Sequence, residues 1–378
     1  MTPYMGWNTF YGLGAKNYTE HTIVSEAYAL VALGLDKAGY RYVWLDDGWW
    51  TGARNRRGDI VVDRRQWPHG MRWLTDHLHA MGLRAGIYVD TGRDGCSGPS
   101  RGSLGHYQQD ADQFADWGFD AVKADFCGGA RLHVLPAKIF GAFSYVVHHN
   151  AAHRPMLLDI CNPFAPGGHT PLQDSAYFSY TFGQVSANSW RTGVDLGLPG
   201  HVVFASVDRA IDADATHPEA AGPGHWNDPD YLVPQMGMNA TEFETQVTMW
   251  SELAAPLVIG ADLRGLSAPT LASINNPEVI AIDQDPLGRQ GVLVADDGRR
   301  GQVWSKPLAN GDVAVVLLNR GGQPDTITTT AVQVGMPAGA SYGIRDLWAH
   351  QSAITSGSIS DVVASHAAVM YRVTRVGS

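Results

Sequence analysis

The sequence predicts a (β/α)8 TIM barrel followed by a small C-terminal antiparallel β domain. Two patterns carry this. From Met1 to about Pro286, eight short apolar runs alternate with helix-like stretches, as parallel strands joined by crossover helices require. After about Leu287 the texture changes to alternating apolar and polar residues separated by Gly, Asn and Asp turns. With 378 residues the chain exceeds the usual size of one core, so two units are expected, 1–288 and 289–378.

Taken in order, the strand candidates are 3–8, 41–47, 83–90, 119–125, 155–161, 185–191, 223–233 and 256–262. The first intervening helix, near 20–38, spaces Ile23, Ala27, Val31 and Leu35 at about 3.6 residues and so carries one buried stripe ending near Gly39. Four strands finish in polar residues: Asp46-Asp47, Asp90, Asp125, and Asp159 to Asn162. Polar strand ends gathered on one rim are what a barrel active site needs. A later helix opens at Thr241-Glu242-Phe243-Glu244, read as a capping box between Thr241 and Glu244, and stops before Pro256. The second unit is expected to use 302–305, 313–318 and 369–373 as strands and to pack tightly on the first.

Composition narrows the function. A formal net charge of −10 argues against the basic face that nucleic-acid binding requires. No apolar run approaches the roughly 18 residues of a membrane span. Twelve Trp and fourteen Tyr serve core packing or sugar stacking. The three cysteines, Cys96, Cys127 and Cys161, are too few and scattered for a zinc cluster and allow at most one bridge. No basic, apolar leader precedes the first strand-like segment, so an export signal was removed or never present. A secreted protein is the expectation, and the oligomeric state is left open.

The chemistry concentrates in Phe119-Asp-Ala-Val-Lys-Ala-Asp-Phe-Cys127, where period-two alternation points Lys123 and Asp125 together into the barrel. A lysine beside a carboxylate holds it ionised, as a carboxylate nucleophile requires; the competing reading is a structural ion pair. Asp195, four residues beyond Arg191, supplies the second carboxylate that glycoside hydrolysis needs. Asp46-Asp47-Gly48-Trp49-Trp50 combines paired acids with aromatics, suited to sugar hydroxyls beside a stacking wall. Paired acids also bind metals, but no His-x-x-His or comparable set accompanies them, and ligands from His225 to Asp230 would come from far along the chain. No metal and no cofactor are expected.

These residues resemble a known family. Met5-Gly-Trp-Asn8, Leu45-Asp-Asp-Gly-Trp49, Gly86-Ile-Tyr88, Lys123-Ala-Asp-Phe-Cys127, Ser189-Trp-Arg191 with Asp195, and Gly222-Pro-Gly-His-Trp-Asn-Asp-Pro-Asp230 look like the ordered motifs of glycoside hydrolase family 27. The similarity runs from Thr2 to about Gly291 and implies a barrel followed by a β domain. It places the nucleophile at Asp125, the acid/base at Asp195, and the sugar-binding lysine and arginine at Lys123 and Arg191. It also implies that Asp46 and Asp47 hold O4 and O6 of a galactose-like ring and that Tyr88 and Phe10 contact substrate. Cys96 and Cys127 match a family disulfide. Two departures stand out: Gly48 replaces a cysteine, and Cys161-Asn162-Pro163 replaces Cys-Glu-Trp, putting Asn162 where a glutamate binds the 2-hydroxyl.

The function expected is retaining exo-hydrolysis of terminal α-D-galactopyranosides of an oligo- or polysaccharide. The same chemistry on a β-L-arabinopyranoside or an α-glucan such as dextran is the alternative. From other classes, a Schiff-base aldolase requires a lysine without an adjacent carboxylate, and a non-catalytic carbohydrate-binding protein would have lost the two acids.

Overall fold

The computed structural model describes residues 1–14, 18–130, 134–162, 175–298 and 300–376. Pro163, part of the departure at Asn162, and the last two residues lie outside them. All eight predicted strands are present, each inside its expected bounds: β1 (Met5–Asn8), β2 (Tyr42–Leu45), β3 (Arg84–Asp90), β4 (Ala121–Asp125), β5 (Leu157–Cys161), β6 (Ser189–Arg191), β7 (Trp226–Asp228) and β8 (Leu257–Ile259). They run parallel in the order β7-β6-β5-β4-β3-β2-β1-β8. Asp230, at φ 96°, bends the chain after β7, and Leu232 then pairs with Ile259 of β8 and closes the ring. The predicted run 223–233 is thus a strand, a bend and a closing bridge.

Two local expectations need correction. The stretch 20–38 is two helices, Glu20–Ala32 and Leu35–Ala38, because Gly34 sits in the left-handed region at φ 74° and ends the first. The capping box lies two residues before the expected one: Asn239 accepts from the Glu242 amide and Glu242 reaches back to the Asn239 amide, opening the helix Ala240–Glu252. Asparagine is as good a cap as threonine, and the true cap is the one with extended backbone, here ψ 175°.

Beyond the barrel lie β9 (Val292–Asp296), β10 (Gly301–Pro307), β11 (Val313–Asn319), β12 (Asp325–Thr330), β13 (Tyr342–Asp346), β14 (Gln351–Thr355), β15 (Ser358–Val363) and β16 (Ala368–Arg375). They pair antiparallel as a six-stranded sheet, β14-β13-β16-β11-β10-β9, and a two-stranded one, β12-β15. The run 313–318 does not alternate apolar with polar, because β11 is buried on both faces. Ala314, Val316 and Leu318 join the barrel's own core, whereas Val313, Val315 and Leu317 fill the smaller core between the two sheets. No helix among the described residues is long and apolar enough to cross a membrane.

Most of the tryptophans are packing residues. Trp7, Trp49, Trp67, Trp190, Trp226, Trp250 and Trp304 are buried. Trp49 and Trp50, expected beside the paired acids as a stacking wall, instead stack on each other inside the fold, and Trp49 donates to the Tyr88 carbonyl at 2.8 Å.

Candidate active site

The C-terminal ends of the barrel strands surround a cavity of about 780 Å³. Register assembles it: β3 and β4 set Tyr88 beside Lys123 and Asp90 beside Asp125, and β4 and β5 set Asp125 beside Cys161. Asp46 and Asp47 enter from the end of β2, Phe10 from the short helix Thr9–Leu13 after β1, and Arg191 from the end of β6.

Its polar floor is a connected network. The Lys123 ammonium donates to Asp46 Oδ2 at 2.8 Å, and the same oxygen accepts from Asn8 Nδ2 at 2.8 Å and from the Tyr231 hydroxyl at 3.2 Å. Burial alone would push the Asp46 carboxyl up, but Lys123, the Asp47 amide and Asn8 outweigh it and hold the group below the usual carboxylate range. Phe10, Tyr88 and Tyr231 enclose the Lys123 ammonium with ring centroids 6.0, 5.7 and 5.0 Å away. Lys123 was expected to hold Asp125 ionised by its nearby charge; its charge does lower the Asp125 carboxyl through space, while its hydrogen-bond partner is Asp46.

Asp125 is 8% exposed, with Oδ1 accepting from the Phe126 amide at 2.9 Å and Oδ2 lying 3.2 Å from Cys96 Sγ. Burial, helped by Asp195 and Asp46 and opposed by Lys123 and the Phe126 amide, leaves its carboxyl pushed up to about 6. Asp195 differs: its side chain is 54% exposed and accepts from Arg191 Nη2 at 3.0 Å. The Arg191 guanidinium, itself buried, also meets Asp230 Oδ2 at 3.2 Å, an oxygen that accepts from the Tyr11 hydroxyl and the Leu196 amide. Asp230 therefore fixes both Arg191 and the loop that carries Asp195.

The loops bearing Cys96 and Cys127 are joined by the Cys96–Cys127 disulfide, and Cys161 is free. They pack so closely that a Cβ on Gly92 would sit 2.1 Å from the Gly128 carbonyl carbon, so only glycine fits. Buried Asp90 accepts the amides of both glycines. Asp90, Cys96, Asp125 and Cys127 bring potential ligand atoms within 4.8 Å of one another, but the two sulfurs are bonded to each other, which leaves two carboxylates.

Of the expected site residues, Phe10, Asp46, Asp47, Tyr88, Lys123, Asp125, Arg191, Asp195 and both disulfide cysteines line the cavity. Asn162 does not: it is buried, and its amide donates to the Tyr177 carbonyl at 2.7 Å, a backbone tether behind the wall. Asp230 and Tyr231 are wall residues that the sequence reading placed only in a motif or not at all. Their signal was an acid next to an aromatic at the end of a strand candidate.

A closed parallel barrel whose strand ends place two carboxylates of unlike exposure on one cavity, backed by a β-sandwich, is the arrangement of a glycoside hydrolase that works with paired acids. The family profile described as alpha galactosidase A matches residues 12–285, and that of the alpha galactosidase C-terminal beta sandwich domain matches 299–373. An α-galactosidase of Oryza sativa subsp. japonica is 37% identical over 377 residues, 99% of this chain and 85% of that protein. Alpha-galactosidase I from Mortierella vinacea superposes with a TM-score of 0.87 at 29% identity, covering 100% and 98% of the two chains. An α-galactosidase from Saccharomyces cerevisiae, solved with raffinose, gives 0.84 at 26%, covering 99% and 98%. The chain belongs to the α-galactosidase family, glycoside hydrolase family 27, and is a glycoside hydrolase.

Proposed function

We propose that the protein removes terminal α-D-galactopyranosyl groups from oligo- or polysaccharides with retention, through a covalent glycosyl-aspartate. The observation that carries this is the pairing of Asp125 and Asp195 on one cavity, the first buried and held by an amide, the second exposed toward the mouth. Asp125 attacks the anomeric carbon while Asp195 protonates the departing oxygen; Asp195 then deprotonates the water that opens the ester. Asp46, ionised by Lys123, and Asp47, whose Oδ2 accepts from the Ser97 amide at 2.9 Å, receive sugar hydroxyls at the floor. Arg191 orients Asp195, and Phe10 and Tyr88 border the ring. Catalysis falls to residues 1–288 and packing support to 289–378. The Cys96–Cys127 bond suits an oxidising compartment, in keeping with secretion.

The test compares Asp125→Ala with Asp195→Ala on a panel of nitrophenyl glycosides. Asp125→Ala abolishes turnover on every substrate, whereas Asp195→Ala retains formation of the glycosyl-enzyme from the α-galactoside, because nitrophenolate departs without a proton. Equal loss in both variants on every leaving group, or turnover by the unaltered enzyme of another glycoside in preference to the α-galactoside, overturns the assignment.

A further inference from the structure

The cations on the cavity wall are not alike. Lys123 is paired with Asp46 at 2.8 Å, and Arg191 with Asp195 at 3.0 Å and Asp230 at 3.2 Å. Arg209, also on the wall and exposed, donates to Ser206 Oγ at 3.0 Å and has no carboxylate partner among the described residues. The nearest acid in sequence, Asp208, is taken by Arg320 at 2.9 Å. In a chain of formal net charge −10, an unpaired guanidinium in the wall of the reaction cavity is a deliberate positive point.

Its position says which part of a substrate it meets. Resting on the roles proposed above, the oxygen that Asp195 protonates belongs to the leaving group, so wall residues around Asp195 on the mouth side border that group. Arg209 lines the same cavity from the helix Phe204–Asp214, which follows directly from the Asp195 loop, and exposed Leu198 and His201 of that loop line it too. Leu198 is 69% exposed and offers an apolar face, while His201 offers ring nitrogens for hydrogen bonding.

We propose that Arg209 makes the leaving-group side selective for an anionic aglycone, so that the preferred substrate is an α-galactoside whose neighbouring residue carries a carboxylate, such as a uronic acid. The guanidinium supplies the charge-assisted hydrogen bonds and the substrate supplies the missing acid partner.

The test uses two substrates, 4-carboxyphenyl and 4-carbamoylphenyl α-D-galactopyranoside, with the unaltered enzyme and the variants Arg209→Met and Arg209→Lys. Comparing variants on one substrate at a time cancels the difference in leaving-group acidity. Arg209→Met is expected to lower kcat/KM on the carboxylate about two- to fivefold more than on the amide, the worth of one partly exposed ion pair. Arg209→Lys should restore much of that difference, and added salt should erode the preference of the unaltered enzyme but not that of Arg209→Met. Equal losses on the two substrates, or a preference indifferent to salt, overturn the inference while leaving the α-galactosidase reading intact. Failure of the unaltered enzyme to hydrolyse either galactoside overturns that reading, and the inference with it.

Discussion

Lys123 concentrates the site's electrostatics in one atom. Its ammonium keeps Asp46 ionised through a direct bond and lowers Asp125 through space, against a burial that pushes Asp125 up to about 6. Asp125 must be ionised to attack, so kcat/KM is expected to fall on the acid side with a midpoint near pH 6, read from a pH profile of the free enzyme. Lys123→Met removes a charge that lowers the Asp125 carboxyl, which moves the acid limb to higher pH in whatever activity remains. It also strands Asp46, 2% exposed, without its cation. That should cost about 3–5 kcal/mol of stability, as for other broken buried pairs, and about a hundredfold or more in turnover through lost positioning. An acid limb that stays in place in the variant would show that Asp125 owes its charge to the Phe126 amide instead. Sequence periodicity put Lys123 and Asp125 on one face, but periodicity cannot choose a partner across the barrel. That choice is made by register and by Asn8 and Tyr231, which arrive from distant elements to share one oxygen of Asp46.

Among the elements, the helix Ala240–Glu252 shows what local pattern resolves and what it leaves. Its existence and its end before Pro256 were legible, yet its start was placed two residues late because Thr241 and Asn239 each stand three positions before a glutamate. Asn239→Ala should therefore cost about 1 kcal/mol in urea denaturation, whereas Thr241→Ala, exposed and within the first turn, should cost a few tenths at most. The reverse order would restore the threonine cap. Most of the strands were legible for a firmer reason: β1 to β5 and β8 are short, largely apolar runs bounded by polar or turn residues, and their length separates them from buried helices, whereas β6 (Ser-Trp-Arg) and β7 (Trp-Asn-Asp) are mostly polar and were placed by the alternation of the whole chain. Less legible were the positions where one residue type serves two ends. Trp49 and Trp50 read equally well as sugar platforms or as core, and the packing of Trp49 against Phe114 and Trp117, with Trp50 stacked on Trp49, decides for core. Asn162, just past β5, read as a hydroxyl ligand because the family resemblance puts it where a glutamate binds the 2-hydroxyl, but its amide satisfies a carbonyl of the chain returning at Tyr177.

At the scale of the molecule, barrel and sandwich share one apolar core, and the helix Ala240–Glu252 packs against β10, β11 and β16. Inside this junction Lys306, fully buried on β10, donates to the Ser251 carbonyl at 2.8 Å between the carboxyls of Glu252 and Asp283. Among the described residues, neither oxygen of the Glu252 carboxyl has a hydrogen-bond partner. Burial, only partly offset by Lys306, pushes Glu252 from 4.5 up to about 8, and Asp283 up to about 7. A carboxyl that keeps its proton when folded and releases it when unfolded stabilises the fold fully below its unfolded value, and this contribution disappears as pH rises through the folded value. For Glu252 that window runs from about pH 4.5 to about 8, with a slope of up to about 1.4 kcal/mol per pH unit for one proton. Glu252→Gln keeps the shape and has no proton to lose. Urea denaturation at pH 5, 6.5 and 8 should therefore show the unaltered protein losing stability with rising pH more steeply than the variant, so that Glu252→Gln gains relative stability toward pH 8. Parallel profiles would mean that Glu252 is already ionised at pH 5 in the folded chain. Lys306 would then hold the junction as an ion pair rather than as a protonated acid buried beside an amine.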